Sequence, residues 1–150
     1  MRSDFVLALH VMGFLTAVEG KPLASKILAD TYGTSSVVVR RILAKLCDAG
    51  LVTSQRGVGG GSILALDPQD ISLRDVYNAV SERPEILRRY PTNEPGPSAV
   101  LGTYINDLLG EAEEELLGRL EGINIAEMDI NVRADICRQL DDAEKNKKNP

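Results

Sequence analysis

The sequence predicts a mainly α-helical chain with one small β-hairpin, a helix-turn-helix towards the front and a long helix behind it. Three observations predict this. Thr34 to Gly50 reads TSSVVVRRILAKLCDAG, an apolar stripe at helical spacing between a serine cap and a glycine stop. Directly after it, two short strand-like runs flank the glycine-rich stretch Arg56–Gly61. Further on, Leu101, Ile105, Leu108, Ala112, Leu116 and Leu120 recur at three- and four-residue steps.

Length and composition set the frame. At 150 residues and 43% apolar content, the chain is expected to be one domain, or one small domain with an appendage, with a real core. No apolar run approaches the ~20 residues needed to cross a bilayer. Arg2 and Asp4 precede a helical pattern that lacks a small-residue cleavage site, so the start does not read as a secretory signal. Two cysteines are too few for a disulfide scaffold, and a cytoplasmic location is the expectation. The net charge is −5, but residues 1–66 carry a balance of +3 and residues 67–150 a balance of −8. The basic excess thus lies with the helix-turn-helix and the glycine-rich tip.

The elements follow in order. Asp4 to Val18 alternates at helical spacing, with Phe5, Leu9, Met12 and Val18 as inward candidates. Gly20-Lys21-Pro22 breaks this helix. A second runs from about Leu23 to Tyr32 with Ile27 and Leu28 inward, and Gly33 supplies the left-handed position of a tight turn. Ser35 caps the third helix, in which Val39, Ile42, Leu43 and Leu46 form the apolar face. Val37, Arg41, Ala44 and Asp48 point the other way, with Arg40 and Lys45 on the flanks. Leu51–Gln55 and Ser62–Leu66 read as the two strands, and Asp67-Pro68 turns the chain. Ser72 opens the next helix with Asp75 at the capping-box position and Leu73, Val76 and Val80 inward.

Four prolines between Arg83 and Pro97 mark a linker. Ser98 is placed to cap the long helix, whose apolar stripe faces acidic flanks at Glu111, Glu113, Glu114 and Glu115. So long an amphipathic helix after a linker has little of its own domain to cover it, which predicts pairing with a second copy as a C2 homodimer. A further helix is expected from Ile125 to Leu140. These readings divide the chain into a winged helix-turn-helix domain over 1–81, a proline-rich linker over 82–97, a dimerisation helix and C-terminal helix over 98–140, and a flexible tail over 141–150.

Two helices joined by a glycine turn and followed by a hairpin suit a helix in the DNA major groove with a wing beside it. Arg40 and Arg41 have the reach for phosphates or for guanine O6 and N7, and Val37 for a thymine methyl. Ser35 and Ser36 stand at the helix N-terminus, where a phosphate binds. Lys45 extends the basic face. Arg56 enters the wing, and Gly57, Gly59 and Gly60 let backbone approach a sugar-phosphate surface closely. The same glycines do not make a nucleotide-phosphate loop, because no lysine follows them and they lead into a strand. The single histidine, His10, and the missing metal-ligand cluster speak against an enzyme.

The stretch from Leu23 to Val80, above all AGLVTSQRGVGGG, resembles the Rrf-two family of bacterial winged helix-turn-helix transcriptional regulators, kin of IscR, NsrR and CymR. The resemblance covers residues 2–81 well and the long helix more loosely. It implies a long dimerisation helix and a dyad-symmetric operator on double-stranded DNA, with Val37, Arg40 and Arg41 reading base edges and Arg56 as the wing arginine. It also implies a departure. Cluster-binding members carry three closely spaced cysteines between the winged domain and the dimer helix, and Glu82 to Ala99 has none. No iron–sulfur cluster and no other cofactor is expected. A small-molecule or redox effector then becomes the open question. Cys47, on a flank of the third helix, is a candidate redox sensor beside the plainer reading of a packed thiol. The proline-rich loop with Tyr90, Tyr104 and Arg88-Arg89 is a candidate border of a small-ligand pocket, beside the plainer reading of a segment that only connects. The expected function is a homodimeric repressor, against the alternative of a winged-helix module that binds protein and never DNA.

Overall fold

The computed structural model describes residues 3–82, 95–129 and 133–148. Helix α1 (Ser3–Ala17) lies at the centre. Phe5, Leu7, Ala8, Val11, Met12, Leu15 and Ala17 are all buried, whereas Leu9 and Val18 are only half-buried. The helix therefore buries most of its circumference, and a one-sided stripe does not describe it. Its neighbours are α2 (Ser25–Tyr32), α3 (Ser36–Asp48), the second hairpin strand and α4 (Leu73–Val80), with α6 (Ala126–Asp129) and α7 (Arg133–Lys148) behind. Phe5 meets Tyr77 of α4 edge to face at 5.3 Å.

Local chemistry sets the helix ends. Helix α2 stops at Gly33, whose φ of 79° lets its N–H return to the Ala29 carbonyl at 2.9 Å. Ser35 then caps α3, its Oγ accepting from the Val38 N–H at 3.4 Å. Helix α3 buries Val39, Ile42, Leu43 and Leu46 against α1 and α2, the face its spacing predicts. Gly50, at φ 75°, turns the chain into β1 (Val52–Gln55). Strand β1 pairs antiparallel with β2 (Gly61–Leu64), with Val52 opposite Leu64 and Gln55 opposite Gly61. A contact the spacing did not predict extends this sheet. Leu23 forms a bridge with Ser62, donating and accepting at 3.0 and 2.8 Å, so the predicted start of α2 at Leu23 gives way to Ser25.

Asp67 caps a short 3₁₀ turn at Pro68–Asp70, and Ser72 opens α4 with the reciprocal capping box to Asp75 that the sequence predicts. Ser72→Ala removes the Oγ acceptor for the Asp75 N–H while its own backbone N–H can still donate to the Asp75 carboxylate, and is expected to cost ~1 kcal/mol in chemical unfolding.

The long helix α5 spans Pro97–Glu121. Its cap is Gly96 with Pro97 at the first helical position, and not Ser98, because proline's fixed φ suits that position and glycine reaches the φ of 142° before it. The C-terminal end of α5 is docked. Leu117 is buried, Arg74 pairs with Glu121 at 2.8 Å, and the Leu73 N–H donates to the Ile123 carbonyl at 2.8 Å. Glu113, read as part of a solvated flank, is buried. Helix α7 continues to Lys148, so the predicted tail over 141–150 is helical through that residue. Packing on α1 and α2 explains it: Leu140 is buried, and the Cys137 thiol donates to the Ala17 carbonyl at 3.1 Å. The prolines of the linker up to Pro91, with Arg88, Arg89 and Tyr90, lie outside the described residues.

Candidate nucleic-acid interface

The outer face of α3 and the hairpin beside it form one surface. Val37 is 68% exposed, an apolar side chain held out in water by a helix whose other side is packed in the core. Arg40, Arg41, Ala44 and Asp48 are exposed on the same helix, and Ser36 is half-buried at its start. Ser35 uses its oxygen as the cap acceptor, which leaves the hydroxyl proton available as a donor. Between α3 and the hairpin runs an open cleft of about 560 Å³, bordered by Arg40, Ala44, Cys47, Ser54 and Gln55.

The hairpin tip, Arg56 to Gly60, stands away from the body, with Arg56, Gly57, Val58 and Gly59 exposed. Gly57 and Gly59 have φ values of 100° and 75°, so the turn itself demands them. Gly60 is needed for a different reason. A Cβ there would run into the Gln55 carbonyl across the hairpin. The glycines that read as room for a nucleic-acid backbone are thus required by the chain's own backbone as well.

The basic residues of α3 separate into two sets. Arg40 lines the cleft towards the hairpin. Arg41 reaches the other way, to the first turn of α1, where its Nη2 donates to Asp4 Oδ1 at 2.9 Å. Lys45 turns inward. It is 24% exposed, with its ammonium 3.6 Å from Asp4, 3.4 Å from Glu82 and 3.4 Å from the Val80 carbonyl. Sequence reasoning placed Lys45 on a flank but missed Asp4 and Glu82, because ion pairs 37 residues apart leave no local signal.

Cys47 is half-buried and faces the hairpin, its Sγ 3.9 Å from Ser54 Oγ. Cys137 lies on α7 against Ala17. Among the described residues no group of three His, Cys, Asp or Glu side chains is placed to hold a metal ion. Nor is any described helix long and apolar enough to cross a membrane. His10 is exposed on α1, its Nδ1 2.8 Å from the Val6 carbonyl and its ring against Tyr32.

Known proteins are similar to this chain in sequence and fold. The model of the Rrf2 family, described as an iron-dependent transcriptional regulator, matches residues 1–129. YwnA of Bacillus subtilis (strain 168), named as an HTH-type transcriptional regulator, is 35% identical over 121 residues, 81% of this chain and 87% of its own length. IscR of Aliivibrio salmonicida (strain LFI1238), also an HTH-type transcriptional regulator, is 32% identical over 120 residues, 78% of this chain and 68% of its own. The solved structure of T. potens IscR superposes with a TM-score of 0.63 at 25% identity, covering 85% of this chain and 84% of that one. CymR, the global cysteine regulator of B. subtilis, superposes with a TM-score of 0.67 over 85% of this chain and 94% of its own; at 22% identity it shares the fold. Sequence and fold agree: the chain belongs to the Rrf2 family of transcriptional regulators, DNA-binding winged-helix proteins and not enzymes.

Proposed function

We propose that this regulator binds a dyad-symmetric operator as a homodimer and acts as a repressor. The observation that carries the reading is Val37 held out beside Arg40 and Arg41 on a helix whose inner face is packed, with Arg56 on the neighbouring hairpin. An apolar side chain at the front of such a helix suits a thymine methyl, and exposed arginines suit guanine edges or phosphates. Ser35, Ser36 and the backbone of Gly57, Gly59 and Gly60 would meet phosphates on either side. Lys45, half withdrawn into contacts with Asp4 and Glu82, would brace α3 and add positive potential more than touch DNA.

In this reading no iron–sulfur cluster is held. The whole chain offers two cysteines and one histidine, residues 83–94 hold neither type, and Cys47 and Cys137 sit on different helices against different neighbours. That donor set does not fit a cluster ligated by protein thiolates. Protein reconstituted with iron and sulfide under anaerobic conditions is expected to stay colourless, and a stoichiometric visible-absorbing cluster would overturn the reading.

Selection of bound duplexes from a random pool tests the DNA reading directly. Two half-sites about 34 Å apart, one helical turn, are expected. Arg40→Ala should weaken binding to the selected duplex by ~1–3 kcal/mol if it reads a base. Equal losses on selected and random duplexes make it a phosphate contact.

A further inference from the structure

Among the described ion pairs, Asp4 is the one carboxylate that reaches an exposed arginine of α3, Arg41, and it also lies 3.6 Å from Lys45. It comes from the first turn of α1, 37 residues away in sequence, and its side chain is 22% exposed. Arg41 remains 56% exposed despite the bond. A guanidinium has five N–H donors, and one of them is engaged here, so the rest stay available to a nucleic acid. Arg41 also lies four residues beyond Val37, on the same helical face.

From this geometry we propose that Asp4 is a specificity-determining, positioning residue that acts through Arg41. The proposal rests on the reading of α3 as the helix that meets DNA. Two effects combine. The charge-assisted bond restrains a side chain with many rotamers, so less conformational freedom is lost when Arg41 meets its target. The carboxylate also offsets the guanidinium's charge, which lowers attraction to any phosphate whatever the sequence. At a cognate site the aligned guanidinium finds base-edge partners and keeps its remaining donors satisfied. At a random site only the weakened phosphate attraction is left. Discrimination therefore rises as non-specific affinity falls. Lys45 does not substitute for Arg41, because Glu82 and the Val80 carbonyl hold its ammonium even without Asp4.

The test compares the full chain with Asp4→Asn, Asp4→Glu, Arg41→Ala and the Asp4→Asn/Arg41→Ala pair, on a selected duplex and a random one over a range of salt. Asp4→Asn keeps the shape and removes the charge. It is expected to tighten random-duplex binding roughly three- to tenfold near 50 mM salt and to steepen its log–log salt slope by up to ~0.9 for each protomer, one extra phosphate neutralised in each. The ratio of selected to random affinity should fall. Asp4→Glu should restore most of that ratio. In the Arg41→Ala background the Asp4→Asn gain should vanish. A gain of equal size in that background means that Asp4 repels phosphates directly and overturns the proposal. So does an Asp4→Asn protein with unchanged slope and unchanged ratio, while the parent still selects its duplex. If the parent chain prefers no duplex at all, the DNA reading and this proposal fall together.

Discussion

Replacing Leu101 and Leu108 by glutamate is expected to leave the protein folded, render it monomeric, and lower operator affinity by at least about a hundredfold. Near its C-terminal end helix α5 is held by Leu117 and the Arg74–Glu121 pair. Ahead of that, Val100, Leu101, Tyr104, Ile105 and Leu108 are exposed, with Tyr104 at 66%. A contiguous run of large apolar side chains on one helix is unusual for a monomer and fits an interface. A second α5 packed across a two-fold axis would cover it, each side chain meeting the same patch on the partner. Glutamates at both positions would place four carboxylates in that seam without partners, a desolvation cost well above what the interface gains there. The loss on DNA follows from linkage of two half-sites: two coupled reading heads exceed one by about 10²–10⁴. Sedimentation equilibrium and binding to the selected duplex check both parts, with far-ultraviolet dichroism as the control for folding. A dimer of unchanged stability in the variant, or a parent chain that is monomeric at micromolar concentration, sinks the idea.

What could be read in advance was local. The Ser35 cap, the Gly33 turn and the Ser72–Asp75 box each involve residues within five positions of one another, and all three form as their spacing suggests. The inner face of α3 was legible for the same reason: one side of that helix meets the core and the other meets water, so its apolar period survives. Helix α1 has no such asymmetry. Leu7, Ala8 and Val11 are buried alongside Phe5 and Met12, and a helix covered on most sides carries no stripe from which to choose. The candidate site divides in the same way. Val37, Arg40 and Arg56 stand where periodicity and the hairpin put them. The partners of Arg41 and Lys45 come from Asp4 and from the end of α4, which only the tertiary packing brings near. Glu113 is the clearest misreading: four nearby glutamates looked like one solvated flank until one of them was turned into the protein.

Gly61→Val is expected to cost about 3 kcal/mol of stability and to impair DNA binding although Gly61 itself need touch no nucleic acid. The glycine-rich tip invites a single explanation for all its glycines, yet Gly61 differs from its neighbours. Its φ is not in the left-handed region, and what excludes a side chain is space: a Cβ would strike the Leu23 carbonyl and the following amide. Those backbone groups are fixed by the Leu23–Ser62 bridge, with both hydrogen bonds in place, and Leu23 is itself buried. Backbone cannot rotate aside as a long side chain can, so the strand must shift, at the upper end of the ~1–3 kcal/mol typical of overpacking. The shift parts the hairpin from the segment leading into α2 and carries Arg56 with it. Gly57→Ala is the contrast. Its Cβ would meet open space, and the cost of about 1 kcal/mol arises from the positive φ alone, with Leu23 undisturbed. Urea unfolding should therefore rank the parent above Gly57→Ala, and Gly57→Ala above Gly61→Val. Duplex binding measured where all three are folded should fall furthest for Gly61→Val. Equal stability of Gly61→Val and the parent would mean that the bridge to Leu23 does not hold the wing.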